Sequence, residues 1–421
     1  AFENTGVVHL TIPASVTTIK DDAFLDCLNL ETLTFEEGSE PLTIGADAFD
    51  GCIALTSASF SSNVSVIDDY AFSGCTALKN ITFATNAEGK SMLTTIGQRT
   101  FLNCGFEEVV LPEGLTTITS NAFYAGTDAG RNLRKVVIPS TVTSIGSSAF
   151  YNQYHLETVI FTGGTADLTI ATTVFMNCTS LKSIVFPANL VSIDTRSIQG
   201  CTALTSIGVS EDNATYVSVD GALYARDAET GAASSLVLFP IGKTGSFVLP
   251  EGTTTVENYL FQKSQLTSLT LPDTVTSIGN YAFQNSTIQS ITLSEGLTSI
   301  GTYAFQNVPI KSLVLPASLT DIGNYAFDGS SLEAITLPAG VKSVGYYAFQ
   351  NCDDLRTVTF EEGFNAEFPI HSRTNNASYP IDGNYTFANS GVTTVNLAAS
   401  MTEIADGMFF QCEDLTAINF A

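Results

Sequence analysis

The sequence contains no tryptophan, only 3 histidines, and only 16 lysine and arginine residues against 42 aspartate and glutamate residues. The formal net charge is therefore −26 at pH 7. A surface this acidic repels the phosphates of nucleic acids and the headgroups of anionic lipids. The composition excludes nucleic-acid binding and a polybasic membrane anchor.

Long hydrophobic runs are also missing. No stretch approaches the roughly 18 apolar residues that span a bilayer, so we expect no direct membrane insertion. Hydrophobic residues nevertheless make up 44% of the chain and charged residues only 14%, which excludes a disordered acidic chain. The sequence begins at Ala1 rather than methionine, so we expect a processed or trimmed protein whose export signal is not in this chain.

Motifs for catalysis are scarce. The sequence has no His-x-x-x-His or Cys-x-x-Cys pair, and His9, His155 and His371 are far apart. Gly242-Lys243-Thr244 resembles the end of a phosphate-binding loop, but Val237 stands where the first glycine belongs. We therefore predict no catalytic residue, no cofactor and no enzymatic activity. A carbohydrate-active solenoid is the remaining enzyme alternative.

An internal repeat dominates the sequence. The dipeptide Ala-Phe or a close variant recurs from Phe24 to Phe409, and an isoleucine or valine lies five residues before nearly every motif phenylalanine. From Phe261 to Phe349 the period is a constant 22 residues. A unit this short cannot bury its own apolar side chains, so successive coils must stack and share one core.

Each part of the repeat predicts a local structure. The segment Leu266–Leu271 alternates apolar and hydroxyl residues like a half-buried strand, and Pro272 ends it because proline donates no backbone hydrogen bond. The five-residue spacing of Ile278 and Phe283 predicts one turn of α- or 3-10 helix. Glycine or asparagine two residues after most motif phenylalanines predicts a left-handed backbone there.

The pattern L-x-x-L-x-L-P-x-x-L-x-x-I-G-x-x-A-F-x-x-C resembles the BspA-type (treponemal-type) leucine-rich repeat, over essentially the whole chain. The resemblance implies a single solenoid over residues 1–421, a curved right-handed superhelix of about 22–23-residue coils with one parallel sheet and short helical or 3-10 turns opposite. Residues 209–249 are expected to form an atypical coil or β insert, and residues 361–380 a long insertion at one rim.

The same resemblance implies a function class. Members are mostly bacterial and protozoan surface proteins, several of them associated with adhesion. The implied function is a non-enzymatic, secreted or cell-surface binding protein that recognises a host or microbial protein or glycan. The rival hypothesis is a structural spacer that presents another domain.

The eight cysteines all occupy one position, three residues after the motif phenylalanine. Serine occupies that position in other coils, for example Ser264 and Ser390. A position that accepts both residues requires a small side chain, and free cysteine behaves as a small hydrophobic residue. We therefore predict buried free thiols rather than disulfides at Cys27, Cys52, Cys75, Cys104, Cys178, Cys201, Cys352 and Cys412.

Two repeated surface rows are binding candidates. Outward strand positions carry hydroxyl residues such as Ser268 and Thr270, which either keep an exposed sheet soluble or bind a glycan or an extended polypeptide, with ice binding a remote alternative. A tyrosine recurs two residues before the motif phenylalanine; stacked rings about 5 Å apart would either support one another or form a platform for sugar rings. This tyrosine ladder comprises Tyr259, Tyr281, Tyr303, Tyr325, Tyr347 and Tyr385.

Insertions form the third candidate, because they all leave the same end of a strand and loops on a rigid scaffold often bind ligands. The alternative is that they are neutral insertions. The candidate ligand-binding residues in the longest insertion and the atypical coil are Tyr216, Tyr224, Arg226, Phe364, Phe368, His371, Arg373 and Tyr379.

An acidic row lies two residues beyond the strand ends. Glu251, Asp273 and Glu295 fall in three successive coils, so stacking would place equivalent backbone positions about 5 Å apart. Carboxylates at that spacing either bind a divalent cation such as Ca²⁺ weakly or splay into water. No firm metal site is predicted.

Overall fold

The computed structural model describes residues 1–369 and 383–420. The chain divides into two compact units, Ala1–Ala233 and Ser234–Ala421. The boundary falls inside residues 209–249, where the sequence predicts an atypical coil. Almost all regular structure in the described residues is β-strand, and the only helix there is a 3-10 turn at Asp128–Gly130.

Strands recur about twice in each coil. The strands of the first unit are β1 (His9–Ile12), β2 (Thr18–Ile19), β3 (Thr32–Phe35), β4 (Leu42–Ile44), β5 (Ser57–Phe60), β6 (Val64–Ile67), β7 (Asn80–Phe83), β8 (Thr95–Ile96), β9 (Glu108–Val110), β10 (Thr117–Ile118), β11 (Lys135–Ile138), β12 (Ser144–Ile145), β13 (Thr158–Phe161), β14 (Leu168–Ile170), β15 (Ser183–Phe186), β16 (Leu190–Ile193), β17 (Ser206–Val209), β18 (Tyr216–Val219) and β19 (Ala222–Arg226).

The strand β20 (Ala233–Leu238) begins at the unit boundary. The strands of the second unit that follow are β21 (Gly245–Val248), β22 (Thr255–Val256), β23 (Leu266–Thr270), β24 (Ser277–Ile278), β25 (Ser290–Thr292), β26 (Ser299–Ile300), β27 (Asp321–Ile322), β28 (Ala334–Leu337), β29 (Ser343–Val344), β30 (Thr357–Phe360), β31 (Thr394–Leu397) and β32 (Ala417–Phe420).

Two sets of parallel strands wrap the core of the first unit. The short strands form one continuous eight-stranded sheet, from β2 to β16. The longer strands form three separate sheets, ordered β1-β3-β5-β7, β13-β11-β9 and β15-β17. The outward-facing side of the longer strands is called the strand face below. The predicted leucine-rich-repeat solenoid is confirmed, with the short strands as a second sheet.

The second unit repeats this plan. Its short strands pair in the order β22-β24-β26-β27-β29, and its longer strands form the sheets β21-β23-β25 and β28-β30-β31-β32. Alternation along the longer strands places Ile335 and Leu337 in the core and leaves Ala334 and Thr336 exposed. Because coils pair in register, each core residue lies beside its counterpart in the next coil, as Leu337 does beside Phe360.

The atypical coil contains the one antiparallel pair described here within a single unit. Strands β18 and β19 form a hairpin in which Tyr216 lies opposite Ala225. The turn between them uses Asp220 and Gly221, both with positive φ. These are residue types that tolerate the left-handed backbone a tight hairpin requires.

The segment around the motif phenylalanine differs from the predicted helical turn. Tyr281 and Asn285 both adopt a left-handed backbone, with φ of 58° and 56°. The asparagine was expected to be left-handed and the tyrosine was not. Two left-handed residues in one short segment interrupt a helix, because a helix requires consecutive right-handed residues. The segment is therefore a run of tight turns.

These turns direct their amides along the stack. Tyr281 N donates to Thr302 O at 2.9 Å, Phe283 N to Ala304 O at 2.8 Å and Asn285 N to Gln306 O at 2.9 Å. Each acceptor belongs to the following coil. The turn segment is thus held by a third set of hydrogen bonds between coils, in addition to the two sets of strands.

A column of phenylalanine rings fills the core between these elements. Successive motif rings stack with centroids 5.0 Å apart for Phe24 and Phe49 in the first unit, and 4.9 Å apart for Phe283 and Phe305 in the second. Burial of one such ring stabilises the fold by about 1.5–3 kcal/mol. Stacking at the coil spacing adds offset aromatic contacts.

The thiols are free, as predicted, and all except the half-buried Cys412 are buried. Every cysteine donates a hydrogen bond to the carbonyl of the motif phenylalanine in an earlier coil; Cys75 Sγ lies 3.2 Å from Phe49 O. Burial raises the pKa of Cys75 well above its ordinary value and raises that of Cys352 to about 12. The thiols are therefore protonated donors at neutral pH, which makes them poor nucleophiles.

This bond explains why serine occupies the same position. Ser390 Oγ donates to Phe349 O at 2.8 Å, as the thiols do elsewhere. Phe49 O already accepts a weak bond from Cys52 N, at 3.4 Å. The side chain of the next coil therefore supplies the second donor to a buried carbonyl.

We predict that Cys75→Ala destabilises the protein by about 1–3 kcal/mol, because it removes a donor and leaves a small cavity. Cys75→Ser retains a donor and is expected to cost less. Urea unfolding followed by circular dichroism measures both, with Cys412→Ala as the control at a less buried site. A serine variant as unstable as the alanine variant would contradict a hydrogen-bonding role.

Candidate functional site

The aromatic residues expected at the rim lie in the core. Tyr216 and Tyr224 are 8% and 2% exposed, and Phe364 and Phe368 are 0% and 7% exposed. Burial raises the pKa of Tyr224 to about 12. The expectation that these side chains form a binding surface is therefore corrected, because their rings have no free face for a ligand.

The start of the long insertion is built into the fold. Glu367 forms a parallel bridge with Ser343 of β29, and Glu367 N donates to Lys342 O at 2.8 Å. The Phe364 ring packs edge-on against Phe360, with centroids 4.9 Å apart. This part of the insertion acts as a short strand of the next coil, which explains why its aromatic residues are buried.

The other predicted rim residues do not form a cluster here. Arg226 is half-buried and donates from Nη1 to Gly231 O at 2.9 Å and from Nη2 to Tyr216 O at 3.3 Å. Its charged group therefore fixes the hairpin. His371, Arg373 and Tyr379 lie outside the described residues.

The tyrosine ladder has the predicted spacing. Ring centroids are 5.0 Å apart for Tyr281 and Tyr303 and 4.7 Å apart for Tyr303 and Tyr325. The rings are nearly parallel, so each covers the face of its neighbour and presents its edge to solvent. A sugar ring stacks on an aromatic face rather than an edge, so this geometry favours mutual packing over a sugar platform.

One end of the ladder is enclosed. Tyr347 and Tyr385 are 4% and 1% exposed. Tyr346 packs edge-on against Tyr347, and Phe410 packs edge-on against Tyr385. The two rings therefore belong to an aromatic cluster in the core.

A ladder of amides runs through the second unit. Gln284 Nε2 donates to Gln306 Oε1 at 2.5 Å, and Gln306 Nε2 donates to Asp328 Oδ2 at 2.7 Å. Asn351 Nδ2 donates to Asp328 Oδ1 at 2.9 Å. The carboxylate of Asp328 thus accepts hydrogen bonds from both neighbouring coils.

Burial raises the pKa of Asp328 above its ordinary value, although the hydrogen bonds from Gln306 and Asn351 oppose that shift. The stabilising effect of a raised pKa is complete below the ordinary pKa and is lost as the pH rises through the folded-state pKa. Asp328 therefore contributes less to the free energy of unfolding at neutral pH than in acid.

We predict that the stability of the wild type relative to Asp328→Asn falls between about pH 3 and pH 7, because the variant lacks this titration. Urea unfolding of both proteins across that range gives the difference. Asp212→Asn, in an exposed turn of the first unit, is the matched control. A difference that stays constant or grows with pH would contradict a raised pKa.

Carboxylates beyond the strand ends bind backbone amides of the next coil. Glu37 Oε1 accepts from Ser62 N at 3.1 Å, and Glu113 Oε1 accepts from Ser140 N at 3.1 Å. Glu251, Asp273 and Glu295 are exposed. Within residues 1–369 and 383–420, no three histidine, cysteine, aspartate or glutamate side chains come close enough to hold a metal ion. The acidic row is therefore not gathered into a calcium site.

The strand face of the first unit carries an apolar row that the sequence analysis missed. Val110, Ile160 and Val185 point outward and are 54%, 40% and 60% exposed. Half-buried Val137 lies between them, in register with Val110 and with Ile160. The signal in the sequence is the loss of alternation: three apolar residues follow one another in Val109–Leu111, Val136–Ile138, Val159–Phe161 and Ile184–Phe186.

Alternating charges border this apolar row. Lys79 Nζ lies 3.6 Å from Glu107 Oε1, and Arg134 Nη1 lies 2.8 Å from Glu157 Oε1. Lys135 pairs with Glu108. Exposed pairs of this kind add about 0–1 kcal/mol each to stability. They surround the apolar row with charged groups, as polar residues surround the apolar centre of many protein interfaces.

A cleft opens in the strand face next to Ile160 and Val185. It lies between β13 and β15, has a volume of about 520 Å³, and is lined by residues of both strands together with Gly163, Pro187 and Ser210. The apolar row and the cleft together are called the β13–β15 surface. It is the most extensive exposed apolar feature that the described strands form.

A match to a protein family follows the repeat. The model described as "BspA type Leucine rich repeat region (6 copies)" matches residues 1–128, 94–218, 254–369 and 381–421. No curated protein matches the chain. In the part of the chain that the structure describes, no helix has both the length and the apolar character needed to cross a membrane.

Solved structures share the fold at low sequence identity. The pneumococcal vaccine antigen PcpA is 18% identical with a TM-score of 0.61, and the match covers 98% of this chain and 89% of that protein. A leucine-rich cell surface protein from Faecalibacterium prausnitzii is 22% identical with a TM-score of 0.56, covering 100% and 89% of the two chains. A leucine-rich repeat protein from Bacteroides ovatus is 19% identical with a TM-score of 0.56, covering 98% and 92%.

The repeat, the stacked coils that it forms and the family match, which extends over most of the sequence, agree. The chain belongs to the BspA-type leucine-rich repeat family.

Proposed function

We propose that this protein is a secreted or cell-surface binding protein without enzymatic activity, and that it recognises a protein of the host or of a neighbouring microbe through the β13–β15 surface. The observation that carries the proposal is the exposed apolar row of Val110, Val137, Ile160 and Val185. Contiguous exposed apolar patches commonly mark protein interaction sites.

The contrast with the other strands supports this choice. Outward positions elsewhere on the strand face carry serine and threonine, as in Ser57 and Ser59 of β5 or Ser268 and Thr270 of β23. Those residues keep an exposed sheet hydrated. Four neighbouring coils depart from that pattern, and they do so at a single outward position. A protein partner buries apolar side chains more effectively than a glycan, which favours a protein over a sugar ligand.

We predict that the full chain binds at least one protein in a screen of immobilised matrix proteins and bacterial surface proteins. The triple variant Val110→Thr/Ile160→Thr/Val185→Thr is expected to weaken that binding by at least about tenfold, because threonine keeps the strand conformation but adds a hydroxyl to each apolar contact. Biolayer interferometry measures both affinities.

Val248→Thr is the matched control, since Val248 is an exposed strand residue of the second unit, 64% exposed. Equal binding by the triple variant would overturn the proposed surface. Binding only to glycans would overturn the protein partner, and no binding at all would favour the spacer hypothesis.

A further inference from the structure

The sheet of longer strands is interrupted at the β13–β15 surface. Strand β13 is the edge of the sheet β13-β11-β9, and β15 is the edge of the pair β15-β17. The two strands belong to successive coils that remain joined elsewhere: β14 pairs with β16, and Phe175 N donates to Ser197 O at 2.7 Å. The stack therefore opens only on the side of the strand face.

The hydrogen bonds on the far sides show which backbone groups face the opening. Thr158 N donates to Arg134 O and Thr162 N to Ile138 O, both toward β11. Lys182 O and Phe186 O accept bonds from the coil of β17. Because successive residues of a strand direct their amides to opposite sides, the N–H and C=O groups of Val159, Phe161, Ser183 and Val185 are directed toward the cleft.

The opening has the size and chemistry of a peptide site. Its volume of about 520 Å³ lies within the range of small-ligand pockets. Both walls present donors and acceptors at every second residue, about 6.5–7 Å apart, which is the repeat of an extended polypeptide. Ile160 and Val185 stand beside these groups and offer apolar contact. A glycan or a lipid chain does not match this regular alternation of amides and carbonyls.

We infer that the β13–β15 cleft binds an extended segment of the partner polypeptide by main-chain hydrogen bonds, with alternate apolar side chains of that segment resting on Ile160 and Val185. This inference rests on the proposed function and names how the partner is recognised. Basic residues at the ends of the segment are favoured, because the chain carries a net charge of −26 and Glu157 lines the cleft.

The test uses a synthetic peptide, acetyl-Lys-Val-Thr-Val-Thr-Val-Lys-amide with a fluorescent label, and the full chain. Fluorescence anisotropy is expected to show saturable binding. Two further peptides carry N-methyl groups on the three valines or on the two threonines, which removes amide donors without changing the net charge or the residue side chains. At least one of them is expected to bind about tenfold more weakly or worse, since each lost main-chain bond contributes about 0.5–1.5 kcal/mol.

Protein variants locate the peptide. Val185→Thr is expected to weaken binding severalfold, whereas Val314→Thr, at a strand-face valine of the second unit that is 86% exposed, is expected to leave it unchanged. Val185→Pro removes the amide that faces the cleft, and proline is tolerated on an edge strand at such a position; it should abolish most binding. Urea unfolding of each variant verifies that it is folded.

Several results would overturn the inference: no saturable binding of the parent peptide, equal binding of both N-methylated peptides, or equal loss with Val314→Thr. If the triple threonine variant loses a screened protein while the peptide fails to bind, main-chain recognition is wrong and the proposed function stands. If the peptide binds as expected but the triple variant retains every screened protein, the cleft is a peptide site and the proposed function is wrong.

Discussion

The structure depends on one constraint: a single coil of about 22 residues can neither bury its own apolar side chains nor satisfy its own backbone. Both needs are met by the next coil. Two sets of parallel strands and the amides of the turn segment, such as Phe283 N to Ala304 O at 2.8 Å, all bond along the stack. Every residue of the repeat therefore has its counterpart as a neighbour, which converts a sequence period into columns of identical contacts.

Several features of the chain follow from that constraint. A phenylalanine column fills the core because aromatic rings stack at the coil spacing, as Phe305 and Phe327 do at 5.1 Å. Cysteine or serine follows because the phenylalanine carbonyl needs a donor from the next coil. Glutamates beyond the strand ends, such as Glu113, bind the amides of the next rim turn. Rows that look like sites in the sequence are thus often contacts between coils, and departures from the row are more informative about binding.

The sequence predicted the stacked coils, the strands, the free thiols and the left-handed asparagines, because each depends on residue type at a fixed period. It did not predict the turn segment at Tyr281, where tertiary stacking holds a tyrosine at a φ of 58° against its intrinsic preference. It also placed Phe364 and Phe368 at the surface, because an insertion that forms a core strand has the same composition as an exposed aromatic loop. The β13–β15 cleft arises from an interruption between two coils, which no period reveals.

The central claim is that the turn segments are held between coils as firmly as the strands are. Hydrogen exchange on the intact protein, read residue by residue, tests it directly. The account predicts that the amides of Tyr281, Phe283 and Asn285 are protected to the same free energy of opening as the amide of Leu269 in β23, because all of them are released only when coils separate. Exchange of the three turn amides at rates near those of exposed loops, with Leu269 still protected, would contradict it.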